Sequence, residues 1–236
     1  MTESQDDPAS AGRSSRQWLA AADDDPRAVL LRAYADATRL TIEQLMTTAA
    51  PDDAVARAVE LLDEANALLA EQPHGRPYQG VDESSMAPAA FGDDARKPFL
   101  DYSPVVGLAN PLAPPLHPER GEDEISARVV YGAAYEGPPG CVHGGHIAAG
   151  FDEVLGFTQT LTGRAGMTGR LQIWYRKPTP LHREVRYTGW VESVDGRKIL
   201  TRGTLHAGEL LTAEAEGLFI AVDPSLFQRL VRDRPA

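Results

Sequence analysis

The order of periodicities after Glu119 constrains this chain more than any other feature. Ile125–Ala133 has the length and apolar content of one strand. A Pro/Gly loop, Gly137–Gly145, then leads into His146–Leu161, a stretch of small and apolar residues that reads as a helix. Four segments follow with the two-residue alternation of strands: Thr168–Arg176, Glu184–Val194, Lys198–His206 and Leu210–Val222. Their connectors, Lys177-Pro178-Thr179-Pro180, Asp195-Gly196 and Ala207-Gly208, are turn chemistry. Parallel strands would need crossovers of about a dozen residues. The order therefore predicts an α+β domain with an antiparallel sheet and excludes βαβ winding.

The helix carries Gly145, Ala148, Ala149, Gly150 and Gly156 and few charges beyond Asp152 and Glu153. A helix without a polar face is expected to be buried, here wrapped by the sheet that follows it. Upstream, Asp25 suits an N-cap and Pro26 a first helical turn, with Val29, Leu30, Ala33, Ala37, Leu40 and Leu45 forming a stripe. Pro51-Asp52-Asp53 restarts a second helix with Val55, Val59, Leu62 and Leu69 on one side, and His74-Gly75-Arg76-Pro77 ends it. The pair is expected to dock as a hairpin on the main domain or on a partner chain. Pro and Gly then crowd the connecting segment, where one extended piece is expected near Phe99–Leu108. The segments are 1–24, a loosely attached N-terminus; 25–72, the helical extension; 73–118, the connector; 119–225, the main domain; and 226–236, a tail.

Composition removes several function classes. Of the 236 residues, a formal charge of −11 disfavours nucleic-acid binding, which draws its affinity from neutralising phosphates. The charge is uneven: residues 1–85 hold sixteen acidic and seven basic residues, whereas 164–202 hold nine basic and three acidic. A basic segment in an acidic protein can receive a compact anion. One cysteine, Cys141, allows no intrachain disulfide, and no secretory leader or membrane-spanning stretch is visible, so membrane insertion is not expected and a cytoplasmic location is.

The chemistry concentrates in GPPGCVHGGHIAAGFDEVLG, Gly137–Gly156. Gly144 and Gly145 enter the helix where backbone N–H groups lack intrahelical acceptors, a place suited to an oxygen gaining negative charge. Asp152 lies in the middle of the same helix, eight residues on. That is roughly 12 Å of rise with directions about 80° apart, so the two cannot act on one carbonyl within one chain. A twofold dimer with antiparallel helices would bring them together.

YEGPPGCVHGGHIAAGFDEVLG, followed by GMTGRLQIWYRKPTPL, VDGRK and the LFIAVDP strand, resembles the hotdog-fold acyl-CoA thioesterase superfamily. The likeness runs from about Ile125 to Pro224 and is greatest to the branch of phenylacetate-pathway thioesterases and the carboxyl-terminal modulator protein. It implies a hotdog fold, an antiparallel sheet wrapped around a long central helix, here with an N-terminal helical extension, so that 119–225 is the thioesterase domain. It implies hydrolysis of acyl-CoA to free acid and CoA, a place in fatty acid metabolism, and a homodimer or a tetramer built as a dimer of dimers. No cofactor is expected, since coenzyme A belongs to substrate and product. Residue by residue, the resemblance makes Asp152 the nucleophile or general base and the Gly144 N–H the oxyanion donor, with His143 just before it. Thr168 would hold the acid or the lytic water. Trp174, Arg176, Arg197 and Lys198 would contact coenzyme A, and simple alternation would put Thr168, Trp174 and Arg176 on one strand face. Some relatives carry Asn or Gln six residues before the His of HGG, where this chain has Gly137.

Rival chemistries are weaker. Cys141 and His143 lack a third orienting group, so a packed thiol is expected. His143, His146 and Asp152 match no zinc spacing, so no metal is expected. A non-catalytic acyl-CoA sensor or interaction protein on the same fold is the alternative, and the acid at 152 argues against it.

Overall fold

The computed structural model describes residues 26–73, 100–164 and 166–222. The expected N-terminal segment, the Asp25 cap, the His74–Pro77 stop, most of the connector, Phe99 and the 226–236 tail lie outside them. Helices α1 (Pro26–Thr47) and α2 (Asp52–Ala70) precede strands β1 (His117–Arg120) and β2 (Glu124–Val130). Helix α3 (Gly144–Gln159) follows, then β3 (Gly166–Tyr175), β4 (Glu184–Asp195), β5 (Lys198–Ala207) and β6 (Leu210–Ala221). All strand pairs are antiparallel, in the order β1-β2-β4-β5-β6-β3. The sheet wraps one long helix, the hotdog arrangement.

Close approach of α3 to the sheet comes from what the strands omit. Gly189 and Gly203 are cross-strand partners on β4 and β5. A Cβ on either would lie 3.1 Å from Leu155 Cδ2, and one on Gly189 only 2.5 Å from Thr158 Oγ1. The helix nests there, burying Ile147, Phe151, Val154 and Leu155. Each such side chain stabilises the fold by about 1.5–3 kcal/mol. Tyr131 and Tyr187 are also buried, their hydroxyls 2.8 Å apart and so mutually satisfied.

Three expectations need correction. Periodicity put the helix from His146, but it begins at Gly144, where the glycine pair was expected to enter it, with His143 as its cap. It is not buried all round: Gly145, His146 and Asp152 are exposed on the side away from the sheet. Small residues made a solvent-facing side look like a core side. Near Phe99–Leu108 the described residues form a 3-10 turn, Leu100–Tyr102, and further turns instead of an extended piece. Strand β1 contains Pro118, and it is an edge strand among the described residues, where a missing N–H is tolerated.

The N-terminal helices differ in how they attach. Ala35 of α1 is buried, and Arg32 bonds both carboxylate oxygens of buried Asp101 at 3.1 and 3.0 Å. Arg39 donates to the carbonyls of Asn110 and Leu108 at 2.7 and 2.8 Å, and Glu43 accepts from the Ala133 N–H at 2.8 Å. α2 has no buried residue, and its Val55, Val59, Leu62 and Leu69 stripe is exposed. Of the expected pair, α1 packs on the domain, whereas α2 buries no residue against the described part of the chain.

Gly150 leaves room for the tyrosine pair, since a Cβ there would lie 2.5 Å from Tyr187 and 3.1 Å from the Tyr131 hydroxyl. Gly150→Ala is expected to lower unfolding free energy by about 1–3 kcal/mol, the usual cost of overpacking. Urea denaturation measures it, and an unchanged midpoint would contradict this packing.

Candidate active site

His143 adopts extended backbone angles and caps α3, its Nδ1 accepting the Gly145 N–H at 3.0 Å. The His146 and Ile147 N–H groups donate to the His143 carbonyl. Among the described residues no acceptor faces the Gly144 N–H, which points out of the helix start with the positive end of its dipole. Tyr175 on β3 donates to the Gly144 carbonyl at 2.8 Å, and a Cβ on Gly144 would meet its ring at 3.3 Å. Glycine at 144 thus makes room for Tyr175 as well as for a ligand.

Asp152 lies two turns along on the exposed side of α3, and the Thr168 hydroxyl donates to its Oδ1 at 2.8 Å. The structure therefore joins Thr168 to Asp152 and Tyr175 to Gly144, and leaves Gly144 and Asp152 apart by roughly 12 Å of helix.

Strand parity is where alternation failed. Register shifts between Thr168 and Arg170, with Gly169 as the extra residue of a β-bulge. Thr168 pairs with buried Phe219 and faces the helix. Beyond the bulge, Leu171, Ile173 and Tyr175 pair with Gly217, Ala215 and Ala213 on that inner side. Trp174 instead pairs with Glu214, and Arg176 and Arg170 form ion pairs with Glu214 (2.6 Å) and Glu216 (2.8 Å) on the outer side. Thr168, Trp174 and Arg176 do not share a face. Tyr175 was missed for the same reason: counted from Thr168 without the bulge, it pointed outward.

Arg197 and Lys198 are exposed in the β4–β5 turn, with Arg197 Nε donating to the Ala221 carbonyl at 3.0 Å. Lys198 pairs with Ile220, which pairs with Met167, so both basic residues lie at the Asp152 end of β3. Arg176 follows the opposite end, roughly 25–30 Å away along the strand. Gly137 packs against the His143 backbone so tightly that a Cβ would be 2.8 Å from its Cα. No longer side chain fits this loop conformation. Half-buried Cys141 directs its thiol at the Pro139 carbonyl, 3.5 Å away. Among the described residues no group of three or more His, Cys, Asp or Glu side chains could hold a metal, and no helix is long and apolar enough to cross a membrane.

No family model matches the chain. Over 95 residues, 39% of this chain and 41% of the relative, it is 37% identical to acyl-coenzyme A thioesterase THEM4 of Mus musculus. Over 109 residues, 45% of each, it is 36% identical to THEM4 of Bos taurus. The chain thus spans less than half the length of these curated relatives. A thioesterase superfamily protein of known crystal structure is 33% identical and superposes with a TM-score of 0.66, over 80% of this chain and 94% of its own. The chain belongs to the hotdog-fold acyl-CoA thioesterase superfamily.

One further acid sits in this thioesterase-fold site. Glu153, beside Asp152, turns inward and accepts from the Ser103 hydroxyl of the connector at 3.1 Å. Burial pushes its carboxyl up to about 7; the Ser103 bond works against this shift, and the neighbouring Asp152 adds to it. Ser103 was not legible beforehand, being fifty positions away in sequence with no local motif. A carboxyl raised in the fold contributes stability that is full below its ordinary pKa and is lost as pH rises through about 7. Glu153→Gln should therefore be more thermostable than the parent above neutrality, the gap widening from about pH 5 to about pH 8. Melting temperatures across that range test it; a constant gap would contradict the burial of a titrating group.

Proposed function

We propose that the protein hydrolyses acyl-CoA thioesters, at a site shared by two subunits of a twofold dimer. The observation that carries this reading is the pairing of Thr168 with Asp152 on the same exposed helix side as the free Gly144 N–H, two turns away. Neither end of α3 offers both an oxyanion donor and an acid. Against an antiparallel copy of α3, the Gly144 end of one subunit meets Asp152 of the partner subunit.

Two further features support the dimer. Gly145, Ala149, Asp152 and Gly156 recur at helical spacing along the outward side of α3, so another helix can approach closely. Among the described residues strand β3 is a sheet edge with no strand paired on its outer side, which suits strand addition by a second copy. Such a dimer also resolves the separation of the basic residues. Arg176 at the Gly144 end of one subunit would share a site with the partner's Arg197 and the partner's Lys198, around one coenzyme A.

In the reaction, the thioester oxygen accepts the Gly144 N–H, which stabilises its developing charge; such donors are worth about 3–4 kcal/mol in other enzymes. Asp152 of the partner subunit either attacks the carbonyl carbon or takes a proton from the water that does. As a base, Asp152 passes the water's proton to the departing CoA sulfur as the C–S bond breaks, and the water oxygen stays on the acid. As a nucleophile, it forms a mixed anhydride while CoA leaves as a thiolate; water then cleaves the anhydride, restoring the carboxylate and supplying the proton that CoA takes up. Thr168 holds the carboxylate in place. An acyl-CoA sensor on the same fold would have no use for this held acid.

Hydrolysis of a panel of acyl-CoAs, followed with a thiol reagent, is the primary test. Asp152→Asn should lower kcat by about 10²–10⁴-fold with the fold retained. Mixing it with Gly144→Pro, which removes the N–H, should partly restore activity through mixed dimers carrying one intact site. Near-native turnover by Asp152→Asn, or inactive verified mixed dimers of folded variants, would refute the shared site. Neutralising Arg176, Arg197 or Lys198 should raise KM about tenfold, or about 1.4 kcal/mol, with less effect on kcat, and the parent KM should rise with salt. An unchanged KM in all three returns these residues to solvent-facing roles.

A further inference from the structure

A cavity of about 700 Å³ opens between α1, the connector and the first turns of α3. Leu40 and Ile42 of α1 and Val105 and Leu112 of the connector form its outer wall, with Val130 of β2 and Ala149 of α3 opposite. More than half of its lining is thus built by residues outside the hotdog domain. The charged residues on its rim are already engaged: Arg39 by two backbone carbonyls and Asp36, and Glu43 by the Ala133 N–H. What they leave for a ligand is aliphatic surface, and the size falls within the range of roughly 300–1,000 Å³ that small-molecule sites occupy.

The cavity is continuous with the start of α3. His146 lines it, and lies two residues, roughly 3 Å of rise, beyond Gly144. The His146 ring stacks edge-on with Tyr135 at 4.9 Å and stands 6.0 Å from the ring of His143. Burial, and then the nearby His143, lower the His146 pKa, which favours a neutral ring at this mouth.

We infer that this cavity receives the acyl chain of a medium-to-long aliphatic thioester, and that the N-terminal extension sets the chain length accepted. The inference rests on the hydrolase reading above for its substrate, and on the cavity alone for its ligand chemistry. Two variants narrow or polarise it from opposite walls: Val130→Phe on β2 and Ile42→Asp on α1. Each is compared with the parent in two assays, hydrolysis of acetyl-, octanoyl- and palmitoyl-CoA, and displacement of a fluorescent fatty acid by palmitate.

Both variants should lower kcat/KM for palmitoyl-CoA at least tenfold while acetyl-CoA hydrolysis stays within about twofold, and both should weaken palmitate binding at least tenfold. Loss on all three substrates alike, or a length profile and palmitate affinity unchanged in Ile42→Asp, overturns the chamber while leaving the hydrolase reading intact. If the parent hydrolyses none of the thioesters yet binds palmitate in a way both variants abolish, the hydrolase reading fails and the chamber stands. Absence of palmitate binding by the parent overturns the chamber.

Discussion

The distance of closest approach between α3 and the sheet governs this structure. Leu155 is fully buried and sits over paired Gly189 and Gly203, with Gly217 of β6 also near its side chain. Side chains at these strand positions would lift the helix off the sheet. With the helix seated, the strands curve around it far enough for the last of them, β3, to reach both its start and its middle. Thr168 then meets Asp152 and Tyr175 meets Gly144. The geometry of the candidate site is therefore a by-product of helix seating, and core glycines remote from any ligand determine where an acid and an amide stand.

Much of this was legible because it is written in local periodicity. The two-residue alternation of β4, β5 and β6, and the two-residue turns between them, express geometry that short stretches of chain enforce on themselves. The helix was visible too, but the side it exposes was not. Glycine and alanine satisfy a buried environment and a closely approached surface equally well, so the helix read as buried although it exposes the side that carries Asp152. Non-local facts escaped entirely. The Ser103–Glu153 bond and the Arg39 contacts with connector carbonyls join segments about fifty and seventy residues apart, and no spacing rule encodes such pairs.

The extension is tied on by polar interactions more than by apolar burial. Arg32 and Asp101 are both largely buried and joined by two hydrogen bonds, and breaking a buried ion pair typically costs about 3–5 kcal/mol. Arg39 and Glu43 add directional bonds to backbone groups of the connector and of the loop after β2. Bonds of this kind fix orientation better than a greasy contact would. They suit a segment that holds one wall of a cavity in place, while α2 shows no such bond to the domain among the described residues.

The bulge at Gly169 has a consequence for comparing this chain with its relatives. A single added residue is a half-period phase shift in a strand, so it inverts the sidedness of everything after it. A relative without the bulge, aligned letter by letter, would assign Arg170 to Tyr175 to the wrong side of the sheet. It would exchange a helix-facing tyrosine for a solvent-facing tryptophan. Transfer of residue roles along this strand is safe only when counted back from the β6 pairing partners, whose register is continuous from Ala213 to Ala221.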